Sequence, residues 1–156
     1  MIDKAHKWTY FVIISMDRQE EGMNKSTKHN FSQDKSSIAK GALNTFFNIA
    51  DAWRLNTEQA MKLLGLDSKS TFFKWKKKPE EANLTQDKLE RLSYIFGIYK
   101  ALQILLPKPE AADTWLSRPN SASPFNGQSA LERMLSGHVA DLYVVRQYLD
   151  SQRGWS

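Results

Sequence analysis

Side chains able to do chemistry are sparse in this chain, and their spacing excludes more than it offers. The three histidines are His6, His29 and His138. The first two fall in a polar N-terminal stretch. His138, in Ser136-Gly137-His138, has no nearby acid or nucleophile elbow to work with. Glu80-Glu81, Asp141 and Asp150 lack the spacing of metal ligands, there is no cysteine, and no glycine-rich phosphate loop occurs. The sequence therefore reads as that of a binding protein, with no catalytic residue, no metal site and no cofactor expected. What is concentrated is positive charge. Between Lys62 and Lys78 lie Lys62, Lys69, Lys74, Lys76, Lys77 and Lys78, opposed in that stretch only by Asp67. The local excess of +5 equals the formal net charge of the whole chain. Such a density suits a polyanion and implies steep salt dependence of binding.

The elements that must position those lysines are helical. Leu43, Phe46, Phe47, Ala50 and Trp53 recur at helical spacing from Ile38 to Leu55, where order is expected to begin. Asn56 with Gln59 three residues on forms a capping box for a next helix carrying Ala60, Met61, Leu63 and Leu64, and Gly65 stops it. Asp67 or Ser68 then caps a helix with Phe72 and Trp75 on its apolar side, ended by Pro79. Two helices joined by a tight glycine turn are a helix-turn-helix signature. In that docking geometry Lys69, Ser70 and Phe73 lie where base edges are reached, and Lys74, Lys76 and Lys77 where phosphates lie. The competing reading is a solvated lysine face with Phe73 simply buried.

A longer helix follows, capped by Thr85 and closed by Pro107 and Pro109. It carries two apolar stripes: Leu89, Leu92, Phe96, Tyr99 and Leu106, then Ile95, Ile98, Leu102 and Leu105. Two stripes predict burial on two sides, between two halves of the chain or at a homodimer contact. Beyond it come Trp115-Leu116-Ser117-Arg118-Pro119-Asn120, the turn Phe125-Asn126-Gly127, and two short amphipathic helices marked by Leu131, Met134, Leu135 and by Leu142, Val145, Leu149.

That arrangement, closing on Arg153-Gly154, resembles the C-terminal toxin-binding domain of the Xre/MbcA/ParS antitoxins, the partners of RES-domain toxins. The resemblance covers about the last third of the chain. Where the family often has Pro soon after the Gly, this chain has Gln128-Ser129-Ala130, and Ser129 can accept the orphan backbone bonds instead. Leu64-Gly65-Leu66 followed by Ser70-Thr71-Phe72-Phe73-Lys74-Trp75 resembles the helix-turn-helix half of the same antitoxins. The resemblance implies a type II antitoxin that silences a RES toxin, an enzyme that consumes NAD or transfers ADP-ribose, and that represses its own operator. It implies toxin contacts at Trp115, Arg118, Asn120, Arg146, Arg153, Gly154 and Trp155. The last helix, packed through Leu142, Val145 and Leu149, is expected to leave Arg146 and Arg153 on free faces. Gly154 would turn Trp155 outward. The alternatives are a plain helix-turn-helix regulator without a toxin, and an adaptor that binds no DNA.

The fold expected is all-α: an arm at 1–37, a helix-turn-helix unit at 38–106 and a small helical domain at 107–156. Halves of this size would be marginal alone and would lean on each other. Residues Asp17 to Ser37 are polar and aperiodic. The apolar run Trp8 to Met16 is too short to span a bilayer and lacks a cleavage signal, which points to a leftover strand or a start at Met23. With no cysteine and no membrane segment, a cytoplasmic location is expected.

Overall fold

A computed structural model describes the backbone of residues 25–154 and the side chains from residue 32 onward. The apolar run Trp8 to Met16, the start at Met23 and Trp155 lie outside the described residues. Among those residues there are seven α-helices: α1 (Lys25–Ala52), α2 (Thr57–Leu64), α3 (Lys69–Lys77), α4 (Gln86–Leu105), α5 (Pro109–Trp115), α6 (Ala130–Met134) and α7 (Val139–Gln152). A single 3-10 turn, Pro79–Glu81, lies between α3 and α4. The expected all-α class holds. The only β-type pairing among the described residues is an isolated bridge between Pro119 and Ser129.

Local signals place the helix boundaries. Asn56 Oδ1 accepts the Gln59 N–H at 2.9 Å, and Gln59 Oε1 accepts the Asn56 N–H at 3.0 Å, so both halves of the capping box on α2 form. Gly65 ends α2 at φ 67°, and its N–H closes on the Lys62 carbonyl at 3.1 Å. Ser68, rather than Asp67, caps α3 by accepting the Thr71 N–H at 3.3 Å. Thr85 caps α4 through the Lys88 N–H.

Three boundaries differ from the sequence reading. Helix α1 begins at Lys25 instead of Ile38. Residues 32–35 are all exposed, so the turn they form buries no stripe that would leave a periodic mark. The Ser36 hydroxyl ties this part of the helix to the Glu80 carbonyl at 3.0 Å. At its other end α1 stops at Ala52, because Arg54 takes a positive φ of 54° on the way to Leu55. The third difference is Pro109. Helix α4 ends at Leu105, before Pro107, and Pro109 instead opens α5 from the N1 position, where its missing N–H costs nothing.

Helix α4 is the spine. Leu89, Leu92, Ile95, Phe96, Ile98 and Leu102 are all buried, and α1, α2, α5 and α7 pack on it. Most of both stripes is buried within one chain, as a helix lying between two halves requires. Buried residues from Ala42 to Leu149 form one continuous cluster across both halves. Polar clasps reinforce the seam. The Arg91 guanidinium donates to Asp87 at 2.9 Å and to the Gly137 carbonyl at 2.9 Å, and it packs over Gly65 where a Cβ would intrude. Lys88 donates to the Gly65 carbonyl at 2.9 Å. The helix-turn-helix turn and the α6–α7 turn are thus both held by neighbouring residues of α4.

Candidate functional site

The first face is built on α3. Phe72 and Trp75 point into the core, and Phe72 meets Phe47 of α1 edge-on at 5.6 Å. That anchoring turns Lys69, Ser70, Phe73, Lys74, Lys76 and Lys77 outward, and all six are exposed. Burial of Phe73, the competing expectation, does not occur; the ring is 52% exposed. Its edge rests on Phe72 at 5.4 Å, which fixes its direction. The Ser70 hydroxyl lies 2.9 Å from that of Ser68, the helix cap. Lys76 lies over the Phe47 ring at 5.8 Å, so its stem is partly committed to packing.

The charge on this face is less one-sided than the linear sequence implied. Glu58 of α2 comes within 3.6 Å of Lys69. Glu81 of the 3-10 turn lies 3.7 Å from Lys74 and 3.0 Å from Lys78. The Lys78 hydrogen bond holds the Glu81 carboxyl below the usual carboxylate range. Asp67 is therefore not the only opposing acid, because folding brings others from neighbouring elements. These pairs are exposed, and exposed pairs exchange readily for phosphate. Lys77 has no ion pair among the described residues.

The second face is the C-terminal unit. Its loop is held by its own backbone. Asn120 N–H donates to the Gln128 carbonyl at 3.1 Å, and Gly127 N–H to the Asn120 carbonyl at 2.8 Å. Asn126 and Gly127 both take positive φ, 53° and 95°, to make that turn. Phe125, 1% exposed, pins the loop to the core. Ser129 caps α6 as expected, in a full capping box with Glu132: the Ser129 N–H donates to Glu132 at 2.7 Å, and the Glu132 N–H to Ser129 at 3.1 Å. Arg133 braces the unit, donating to the Pro124 carbonyl at 2.7 Å and pairing with Asp141 at 3.0 Å.

The structure divides the expected toxin contacts. Trp115 is half-buried. It stacks on Tyr148 of α7 at 6.2 Å and meets Phe125 edge-on at 6.0 Å, which brings the loop and the last helix onto one side. Asn120 is turned inward on its own loop, its Oδ1 accepting the Ala122 N–H at 2.9 Å. Arg118, Arg153 and Gly154 are exposed. Arg153 lies 3.9 Å from Asp150, and Gly154 adopts a positive φ of 83°. Arg146 does not occupy the free face expected of it. Its guanidinium reaches over Gly97 of α4, into the space a Cβ would fill, and donates to Asp150 at 2.8 Å. A helical period marks which residues share a face of α7, but it does not show that α4 presents a glycine there. That glycine was the available signal, since an uncapped Gly inside a long helix asks for a close neighbour.

The two faces lie on stretches that match antitoxin domains. Residues 33–97 match the antitoxin Xre-like helix-turn-helix domain, and residues 101–154 match the antitoxin Xre/MbcA/ParS C-terminal toxin-binding domain. The two stretches meet inside α4, the helix on which both halves pack. The chain belongs to the Xre/MbcA/ParS antitoxin family. It is similar to a protein of Sinorhizobium fredii (strain NBRC 101917 / NGR234) described as uncharacterized protein y4oB. The two are 54% identical over 112 residues, which cover 72% of this chain and 84% of the relative. No solved structure matches the chain. Among the described residues no helix is long and apolar enough to cross a membrane.

Proposed function

We propose that this antitoxin neutralises a RES-domain toxin through its C-terminal unit and represses its own operator through α3. The observation that carries the reading is the separation of two exposed faces on one core. The lysine face of α3, seated on α1 and the 3-10 turn, and the α7 end with Arg153 and Gly154, packed on α4, share no residue. At the end of α7, Arg153 and the left-handed Gly154 stand exposed. Arg153 supplies a donor fork for an acidic or nucleotide-binding pocket. Covering such a pocket would deny a RES enzyme its NAD. Arg118 and the outer edge of Trp115 extend that face. Any homodimer on the operator would use surfaces other than the buried stripes of α4.

Two measurements test this reading. A chain truncated after Asp150 keeps Leu149 and the α7 core packing, so it should fold and retain DNA but lose protection when co-expressed with a RES-domain toxin. Full protection by the truncated chain would move the toxin contact to the Trp115 loop. Neutralising Lys74, Lys76 and Lys77 to Gln should weaken binding to every duplex and flatten the salt slope by about 0.9 for each phosphate no longer neutralised. Unchanged binding would make the lysines a solvated face. DNA binding without any toxin protection would leave a plain regulator, and protection without DNA binding an adaptor.

A further inference from the structure

We propose that Phe73 is the base-reading residue of α3 and that it selects thymine through the C5-methyl group, an inference that rests on the DNA reading above. Three observations carry it. Phe73 is one of the few large apolar side chains left exposed among the described residues, at 52%. It is not loose, because its ring is set edge-on against the buried Phe72, which is set in turn against Phe47. It also stands amid lysines, with Lys69 one turn before it, Lys77 one turn after and Lys74 beside it. Residues four apart share a helix face, so any partner drawn to Lys69 and Lys77 meets the Phe73 ring between them.

An anionic partner with an apolar group at that depth fits duplex DNA. Phosphates answer the lysines but reject a phenyl ring. In the major groove the thymine methyl is the one apolar feature among the base edges, and an apolar side chain is its complement. Phe73 also stands at the middle of α3, one turn past Lys69 and Ser70 at the N-terminal end that reaches bases in a recognition helix. Lys69 and Lys74 are occupied by exposed acids, Glu58 and Glu81, which phosphates would displace. Phe73 has no such alternative partner and gains only from an apolar contact.

The test replaces thymine by deoxyuridine, which lacks only the methyl. Duplexes selected from a random library by the wild-type chain are remade with deoxyuridine at one thymine at a time. Wild type should lose about fourfold in affinity at one or two positions, the cost of one methyl contact. Phe73→Ala should bind thymine and deoxyuridine duplexes equally, with an unchanged melting temperature. Phe73→Leu should keep the discrimination. Equal binding of every deoxyuridine duplex by wild type would overturn this inference while leaving DNA binding intact. Failure to retain any duplex at low salt would overturn the DNA reading and this inference together. A fall in oligomer mass caused by Phe73→Ala would also overturn it, by assigning the ring to self-association.

Discussion

Arg146 and Gly97 show how one residue's role depends on another that is distant in sequence. A glycine in the middle of α4 forgoes about 1 kcal/mol of helix propensity relative to alanine. It is tolerated because the Arg146 guanidinium takes the space and α7 can close on α4. In the wild-type chain Gly97→Ala should therefore gain little or lose stability, because Arg146 must leave its place beside Asp150. With Arg146→Ala in the background the same change should stabilise by about 1 kcal/mol. Urea unfolding of the four variants measures the coupling, and purely additive effects would deny it. Two tyrosines on α4 carry a pH dependence. Burial, with Asp113 adding, pushes the Tyr99 hydroxyl above its ordinary 10.0, and burial, with Glu90 adding, does the same for Tyr94. The unfolded chain then loses these protons first. The stability they confer is complete below about pH 10 and is lost as pH rises through the folded-state values. Melting temperature should fall above pH 10 together with tyrosinate absorbance, and Tyr99→Phe should make the fall shallower.

Among the elements, the short helices depend on their caps and the long one on its burial. With five residues, α6 cannot hold itself by propensity. Ser129→Ala removes a buried cap and should cost about 1–2 kcal/mol, and Asn56→Ala at the exposed start of α2 about 1 kcal/mol. Chemical denaturation of each variant would reveal the difference. Ile95 and Ile98 on α4 are both fully buried. Glutamate at either position would place an unpaired charge in the core and should prevent folding. Ile98→Ala is the milder probe and should cost about 2–5 kcal/mol. A folded Ile98→Glu variant would contradict the placement of α4 between the two halves.

For the whole molecule, the continuous core means that the helix-turn-helix half and the toxin-binding half stabilise each other. Arg91 adds a polar link between the Gly65 turn and the Gly137 turn. Unfolding should be a single transition, with helix content and tryptophan fluorescence falling together, since Trp53 and Trp75 report one half and Trp115 the other. Two separated transitions would show that the halves are independent. Charge also acts at this scale. The lysines of the α3 face should make DNA affinity fall as salt rises, and the acids of α2 and the 3-10 turn should make that fall shallower than six free lysines would give.

Local chemistry in the sequence determined the helix starts and stops. Asn56 with Gln59, Gly65, Ser68, Thr85, and Ser129 with Glu132 act within a single turn, so their meaning survives without knowledge of the neighbours. The all-α class, the helix-turn-helix and the two-sided spine followed from those signals and from apolar periodicity. The turn of α1 at residues 32–35 was not legible, because its exposed side chains form no stripe. The opening of α5 was missed because a proline after a helix reads first as a stop. Only the tertiary structure decided the rest. It placed Arg146 on Gly97, drew Trp115 onto Tyr148, brought Glu58 and Glu81 to the lysines, and left Phe73 exposed. Each of those outcomes depends on a packing partner on another element, and one-dimensional spacing does not encode which faces of two helices will meet.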